Sequence, residues 1–301
     1  MERNMHRISC AVIGGGGLIG VEMAGMPDKH GMRDLRCGLP SRRAEAGERE
    51  FERPHQQWAA QYWQARHPTQ PVKQSIIDVI IPAFNEEEAV GLVVRDIPKD
   101  LVRYIVVVNN ASSDKTSEMA RAAGAIVVDQ PERGYGNACL KGMERVATHD
   151  PPPDIVVFLD ADHSDRPQQM TELVAPILNG RADFVIGSRA LGKRDAGAMM
   201  PQQIFGNRLA TYLLKRMYNV YYTDLGPFRA IRWPALLAMG MQDRTFGWTV
   251  EMQLKAAKQR LRIAEVPVDY RKRVGFSKIS GTVKGSVLAG YKIITTIFKY
   301  R

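Results

Sequence analysis

Residues 154–165 read DIVVFLDADHSD. Ile155–Leu159 is an apolar run without a polar face, the pattern of a short strand covered on both sides. It ends in two carboxylates one residue apart, Asp160 and Asp162. Carboxylates this close repel one another, and a divalent cation relieves the repulsion. Hard oxygen ligands suit Mg2+ or Mn2+, which usually complete their shell with substrate phosphates. The simpler alternative is a polar strand end in which one carboxylate caps the next helix. Asp165 already stands three residues further on to fill that role.

The same rhythm continues in both directions. Upstream, IIDVIIPAF (76–84) reads as a buried strand ended by Pro82, EEEAVGLVVRDI (86–97) as a helix, and YIVVVNN (104–110) as a strand. DKTSEMARAAG (114–124) reads as a helix closed by Gly124, AIVVDQ (125–130) as a strand and GNACLKGMERVATH (136–149) as a helix. Downstream come a helix with Pro in its first turn, RPQQMTELVAPILNG (166–180), and a strand, ADFVIGSR (182–189). Strands alternating with helices imply an α/β fold, with a mainly parallel central sheet and helices on both faces. Ligands of such sheets sit at the carboxyl ends of the strands. PAFNEE, NNASSD, DADHSD and GSR all fall at such ends, which points to one shared site. The remainder is less regular: helices over 203–218 and 248–260, a strand beginning in LRIAEVPVDYRKR, a basic turn, and an apolar helix.

Each cluster offers chemistry. Asn85, Glu86 and Glu87 can bind a nucleoside or cap a helix and favour its dipole. Asn110 and Asp114 flank a Ser-rich turn that can reach a base or ribose, with Ser113 or Asp114 also able to cap. In ERGYGNACLKG, Gly134 and Gly136 let the backbone approach a ligand closely, and Arg133 can pair with phosphate. Arg189, after Gly187-Ser188, can grip a phosphate bidentately or form a surface salt bridge. Arg271, Arg273, Ser277 and Lys278 form either a solvated basic loop or an anion site near a membrane. In the final helix Val283, Val287, Tyr291, Ile294, Ile297 and Phe298 share one arc, and Lys284, Lys292 and Lys299 another. This pattern suits a helix lying on an anionic bilayer and equally one packed on the domain.

The 301 residues carry a net charge of +10, with eleven Lys/Arg against two acids from Lys258 onward. An anionic partner is expected. Nucleic acid is not, because no aromatic stacking surface accompanies the basic end. Cys10, Cys37 and Cys139 form neither a zinc site nor a disulfide framework, which fits a reducing compartment. No apolar run reaches the ~18–20 residues of a membrane span. At the start, AVIGGGGLIG contains G-x-G-x-x-G. No strand ending in an acid follows about 20 residues on, so dinucleotide binding is not expected there. Residues 1–74 read as a poorly ordered extension, with a short helix possible over Glu48–Arg66.

From Ile76 onward the motifs resemble the family 2 glycosyltransferases of GT-A fold, a Rossmann-like nucleotide-diphospho-sugar transferase fold. Within them the chain looks most like the dolichyl-phosphate mannose synthase-like, or polyprenyl-phosphate glycosyltransferase, branch. The matching strings are Pro82–Glu86, Asp160-Ala161-Asp162, Gly187–Arg189, Glu251–Ala256 and EVPVDYRKRVGFSK, in family order and over about three quarters of the chain. Asn109-Asn110 stands where many members carry an Asp pair.

The resemblance implies a domain over 75–270, followed by a basic turn and amphipathic helix over 271–301. It implies inverting transfer of one sugar from a GDP- or UDP-sugar, with Mg2+ or Mn2+. Pro82, Ala83, Asn85, Glu86, Asn110 and Asp114 would hold the nucleotide, beside Arg133, Gly134 and Ala161. Asp160 and Asp162 would hold the metal, with Ser164 a third contact. Arg189, Arg208, Arg271, Arg273, Ser277 and Lys278 would meet an acceptor lipid phosphate. Catalysis would rest on Asp162 and Arg189. A hydroxyl acceptor, in polysaccharide or cell-wall synthesis, would need Glu251 or Asp224 as general base. The expected location is cytoplasmic, peripheral on the membrane face. A nucleotidyltransferase would want a Gly-rich loop after the first strand, and a non-catalytic adaptor would want a damaged metal motif. Neither is present.

Overall fold

The computed structural model describes residues 8–14, 17–23, 75–275 and 283–300, and side chains within 75–275 and 288–300. The chain divides into two compact units, residues 1–68 and 69–301. In the first, β1 (Ile8–Gly14) pairs antiparallel with β2 (Gly17–Met23), from Ile8 opposite Met23 to Gly14 opposite Gly17. The glycine run therefore joins two strands of a hairpin, where a dinucleotide site would have it lead into a helix. The rest of the expected extension, including the helix over 48–66, lies outside the described residues.

The second unit is an α/β domain. Its strands are β3 (Ile77–Ala83), β4 (Tyr104–Asn109), β5 (Ile126–Asp129), β6 (Ile155–Phe158), β7 (Phe184–Ser188), β8 (Arg229–Arg232) and β9 (Ile263–Pro267). They form one sheet in the order β5-β4-β3-β6-β8-β7-β9. All neighbours are parallel except β8, which runs antiparallel to both β6 and β7. The helices are α1 (Val90–Asp96), α2 (Thr116–Ala122), α3 (Tyr135–Ala147), α4 (Met170–Leu178), α5 (Pro201–Tyr218), α6 (Trp233–Met239), α7 (Trp248–Lys258) and α8 (Val283–Lys299).

Alternate strand residues feed two cores. Ile77, Val79 and Ile81 pack with α1, α2 and α4 on one face. Ile80, Val106, Val156 and Phe158 pack with α3, α5, α6 and α7 on the other. This two-sided burial is why the parallel strands read as unbroken apolar runs. Pro82, expected to end its strand, lies inside β3. Pairing with β6 stops at Ile80–Phe158, and the Ala83 carbonyl faces β4, where it accepts from Asn110. The Pro82 nitrogen thus faces the side where no partner strand remains, and its missing N–H costs no ladder bond.

β8 and α6 carry no clear signal in the sequence. The string RAIR looks polar, yet Arg229 is buried, with its guanidinium donating to the carbonyls of Leu225, Gly226 and Thr249. The antiparallel β8 matters for the site. Its first residue lies opposite Phe158, so the segment before it, including Asp224, reaches the same edge as the end of β6.

Candidate active site

β6 delivers the DADHSD segment to that edge. Asp160 is half-buried, and Tyr135 at the start of α3 donates its hydroxyl to Asp160 Oδ1 at 3.0 Å. Asp162, Ser164 and Asp165 are buried. The Ser164 N–H donates to Asp162 Oδ1 at 2.9 Å and its hydroxyl donates to the same oxygen. Ser164 therefore orients Asp162. The cap expected of Asp165 is absent too: both its oxygens are buried without a hydrogen-bond partner, and burial pushes its pKa well up.

Burial and the neighbouring Asp162 charge push the Asp160 pKa up to about 7, against opposing pulls from Tyr135, Arg189 and Arg273. A carboxylate pair so short of compensating charge fits a divalent cation. Among the described residues no three His, Cys, Asp or Glu side chains converge to hold one unaided. The pair thus leaves most of the shell to water and substrate oxygens, as Mg2+ and Mn2+ prefer.

The ends of β3 and β4 are laced together beside it. The Asn85 N–H donates to Ser112 Oγ, and Asn85 Oδ1 accepts from the Ser113 N–H at 2.8 Å. Glu86 N–H donates to Thr116 Oγ1 at 2.8 Å, and Glu87 N–H to Asp114 Oδ2 at 3.2 Å. Glu87 returns the contact by accepting from the Lys115 N–H. Neither Glu86 nor Glu87 caps α1, whose N-cap is Ala89 without a side-chain bond. The buried Glu86 instead meets Arg273 Nη2 at 2.6 Å, while Arg273 Nη1 lies 3.1 Å from Asp162 Oδ2. One guanidinium thus joins Glu86 to Asp162. Pro82 and Ala83 are buried in β3, and Ala161 is buried between the two aspartates.

Two expected ligand contacts are corrected. The Asn110 amide donates to the carbonyls of Gln130 and Glu132 and accepts from the Gly134 N–H at 2.7 Å. These three bonds shape the 130–134 loop. Gly134 and Gly136 do allow a close approach, but to protein. A Cβ on Gly136 would lie 1.9 Å from the Asp243 carbonyl oxygen, and one on Gly134, where φ is 146°, 2.2 Å from that of Arg244. Arg133 is exposed, with its guanidinium 4.7 Å from the centre of the Phe84 ring.

On the other side of the sheet's centre, Arg189 grips buried Asp224 through Nε and Nη2, both at 2.8 Å, and its N–H adds a third contact. Burial works to raise the Asp224 pKa, yet Arg189 holds it below the ordinary range. Glu265, 3.0 Å from the Thr223 N–H, supports this turn, and burial pushes its own pKa up to about 7. Glu251 is fully buried and accepts from the N–H groups of Gln242 and Asp243, from Lys255 at 2.8 Å and from the Tyr300 hydroxyl. Both expected bases are engaged by protein donors, Asp224 by three contacts from Arg189 and Glu251 by Gln242, Asp243, Lys255 and Tyr300. Arg189 is likewise engaged. Arg208 is exposed on α5, whose Asn207 is bonded to Thr223 and Leu225. Arg271 donates to the His163 carbonyl and meets Asp96, so the basic turn lies against the DADHSD loop up to Gly275. Ser277 and Lys278 lie outside the described residues.

The comparisons agree with this geometry. Residues 78–236 match the profile Glycosyl transferase family 2. An uncharacterized glycosyltransferase of Mycobacterium tuberculosis is 35% identical over 215 residues, covering 71% of this chain and 94% of that protein. This chain belongs to glycosyl transferase family 2. A dolichyl-phosphate hexose transferase of Haloferax volcanii is 31% identical over 228 residues, 74% of this glycosyltransferase and 94% of its own length. The crystal structure of glucosyl-3-phosphoglycerate synthase from Mycobacterium tuberculosis with Mn2+, UDP and glucosyl-3-phosphoglycerate matches with a TM-score of 0.60. That likeness, at 23% identity over 75% of this chain and 80% of the other, establishes the GT-A fold.

The glycosyltransferase packs α8 on α5 and α7 through Ile293 and the fully buried Ile297, the one residue of the expected arc that is buried among the described side chains. Tyr291 and Phe298, expected beside Ile297, are exposed, as is Leu288. Val283, Val287 and Lys284 lie among the side chains outside the described set. Sequence reading missed Tyr135 and Glu265. The only hint of Tyr135 was its place between two glycines.

Proposed function

We propose that this glycosyltransferase moves one sugar, with inversion, from a UDP- or GDP-sugar to a polyprenyl phosphate at an anionic membrane surface, using Mg2+ or Mn2+. The observation that carries the reading is the Arg273 bridge, which puts Glu86, Asp162 and the basic turn into one constellation. Asn85, Glu86 and Asp114 form the nucleoside side with the backbone of Pro82 and Ala83. Arg133 stands at the rim for the diphosphate. Asp160 and Asp162 would hold the cation, which when bound stabilises the charge developing on the leaving diphosphate. Arg271 and Arg273, with Ser277 and Lys278, receive the acceptor phosphate, and Arg273 exchanges Glu86 and Asp162 for it. Arg189 acts by fixing the Asp224 turn. Arg208 adds positive charge from α5.

The expected bases support the acceptor class. A phosphate arrives ionised and needs none, whereas a sugar hydroxyl does. The two carboxylates that the sequence offers for that work, Asp224 and Glu251, are held by protein donors, the first by Arg189 and the second by Gln242, Asp243, Lys255 and Tyr300. The surface supports the membrane part of the reading. Five of the nine large exposed apolar side chains among the described residues lie on the contacting helices α5 and α8: Phe205, Tyr212, Leu288, Tyr291 and Phe298. Lys215, Arg216 and Lys299 lie on the same helices, the composition of an interfacial surface. No helix among the described residues is long and apolar enough to cross a membrane. The related dolichyl-phosphate hexose transferase supports the acceptor by its name.

A donor screen tests the reading. Release of UDP or GDP is followed with Mg2+ or Mn2+, with and without vesicles containing polyprenyl phosphate. Metal-dependent release stimulated by the lipid phosphate is expected. Stimulation by glycan hydroxyls alone overturns the acceptor, and no turnover of any nucleotide sugar overturns the activity.

A further inference from the structure

The Gly-Tyr-Gly string at the start of α3 has a role that its glycines conceal. The 243–245 segment lies against it so closely that a side chain at Gly134 or Gly136 would overlap its carbonyls. The closeness is used. Gly136 N–H donates to the Thr245 carbonyl at 3.2 Å and Asn137 N–H to the Arg244 carbonyl at 2.9 Å, satisfying amides that the first turn of a helix leaves unpaired. Asn110 holds Gly134 from the opposite side. Asp243 in turn fixes its own segment, accepting from the N–H groups of Thr245 and Gly247, and is met by Lys292 of α8 at 3.1 Å. Tyr135 lies between these clamps, and its hydroxyl donates to Asp160 Oδ1. Asp160 Oδ2 has no hydrogen-bond partner among the described residues.

We propose that Tyr135 is a positioning residue for the metal, holding Asp160 by one oxygen so that the other is presented to the cation, and that the 243–245 segment, braced by Lys292, holds Tyr135 in place. This inference rests on the metal site proposed above. A partner that orients a ligand without touching the metal typically contributes 10- to 100-fold in affinity.

The test is Mn2+ binding in the presence of UDP or GDP, read by electron paramagnetic resonance on wild type, Tyr135→Phe and Lys292→Gln, with a thermal melt of each. Tyr135→Phe is expected to weaken Mn2+ binding by roughly 10-fold or more. Its kcat at saturating Mn2+ should change less than about 3-fold, a split that general loosening of the fold does not give. Lys292→Gln, which leaves the phenol in place, weakens Mn2+ binding by a smaller factor. A folded Tyr135→Phe that binds Mn2+ like wild type overturns the proposal. If that variant does not fold, unchanged Mn2+ affinity in Lys292→Gln overturns it. Wild type that binds no Mn2+ with either nucleotide overturns the metal site itself, and this inference with it.

Discussion

The carboxylates at the end of β6 and those around β8 and α7 differ in what surrounds them. Asp224 and Glu251 are surrounded by donors: a forked arginine for one, and two amides, a lysine and a phenol for the other. Asp160 and Asp162 repel each other under one tyrosine, one serine and one arginine shared with Glu86. Buried charge is retained where it is either fully paired or kept for a ligand. We read the first pair as architecture and the second as the proposed metal site.

The comparison breaks most visibly at Asp162. Asp162→Asn should lower sugar transfer by about 10³-fold without lowering the melting midpoint, since it also removes repulsion within the pair. A thermal melt beside a nucleoside diphosphate release assay checks both halves. Asp224→Asn should do the reverse, leaving the Arg189 charge buried and unpaired at a cost of about 3–5 kcal/mol, a drop of roughly 10 °C in midpoint. Activity per folded molecule should stay within a few-fold of wild type, because Asp224 is no base in this account.

Glu265 sharpens the contrast through pH. Its pKa is raised to about 7 in the fold from an ordinary value of 4.5. The folded state thus binds the extra proton, and this contribution is complete below 4.5 and lost as pH rises through 7. Denaturant titrations should show stability falling by at most about 3 kcal/mol over that window, and Glu265→Gln should flatten the fall. The smallest effect belongs to Asn110→Asp, which turns two amide donors into acceptors facing carbonyls and should cost about 1–3 kcal/mol by chemical denaturation.

Strands β3 to β7 and helices α1 to α4 were legible because β-branched runs and capping signals are local. β8 was not, because Arg229 looks like a surface residue until the carbonyls of Leu225, Gly226 and Thr249 surround it. The site shows the same division. The positions of Asn85, Glu86, Asp160 and Asp162 could be read from strand ends, and the structure brings them to one edge. Their partners could not be read, because Arg273 is 187 residues from Glu86 and Tyr135 is 25 from Asp160. Asn110 and the two glycines were assigned to a ligand for want of knowing that the 130–137 loop already had protein to hold. Saturation of a side chain is a property of the fold.

The central claim is that the β6-end carboxylates, and not their saturated counterparts, carry the metal and the donor diphosphate. A Mn2+ titration in the presence of UDP or GDP, read by the loss of the free-ion resonance, tests it on wild type, Asp162→Asn and Asp224→Asn. Binding should appear in wild type, vanish in Asp162→Asn and persist in Asp224→Asn. Unchanged binding in Asp162→Asn, or loss confined to Asp224→Asn, would contradict the account.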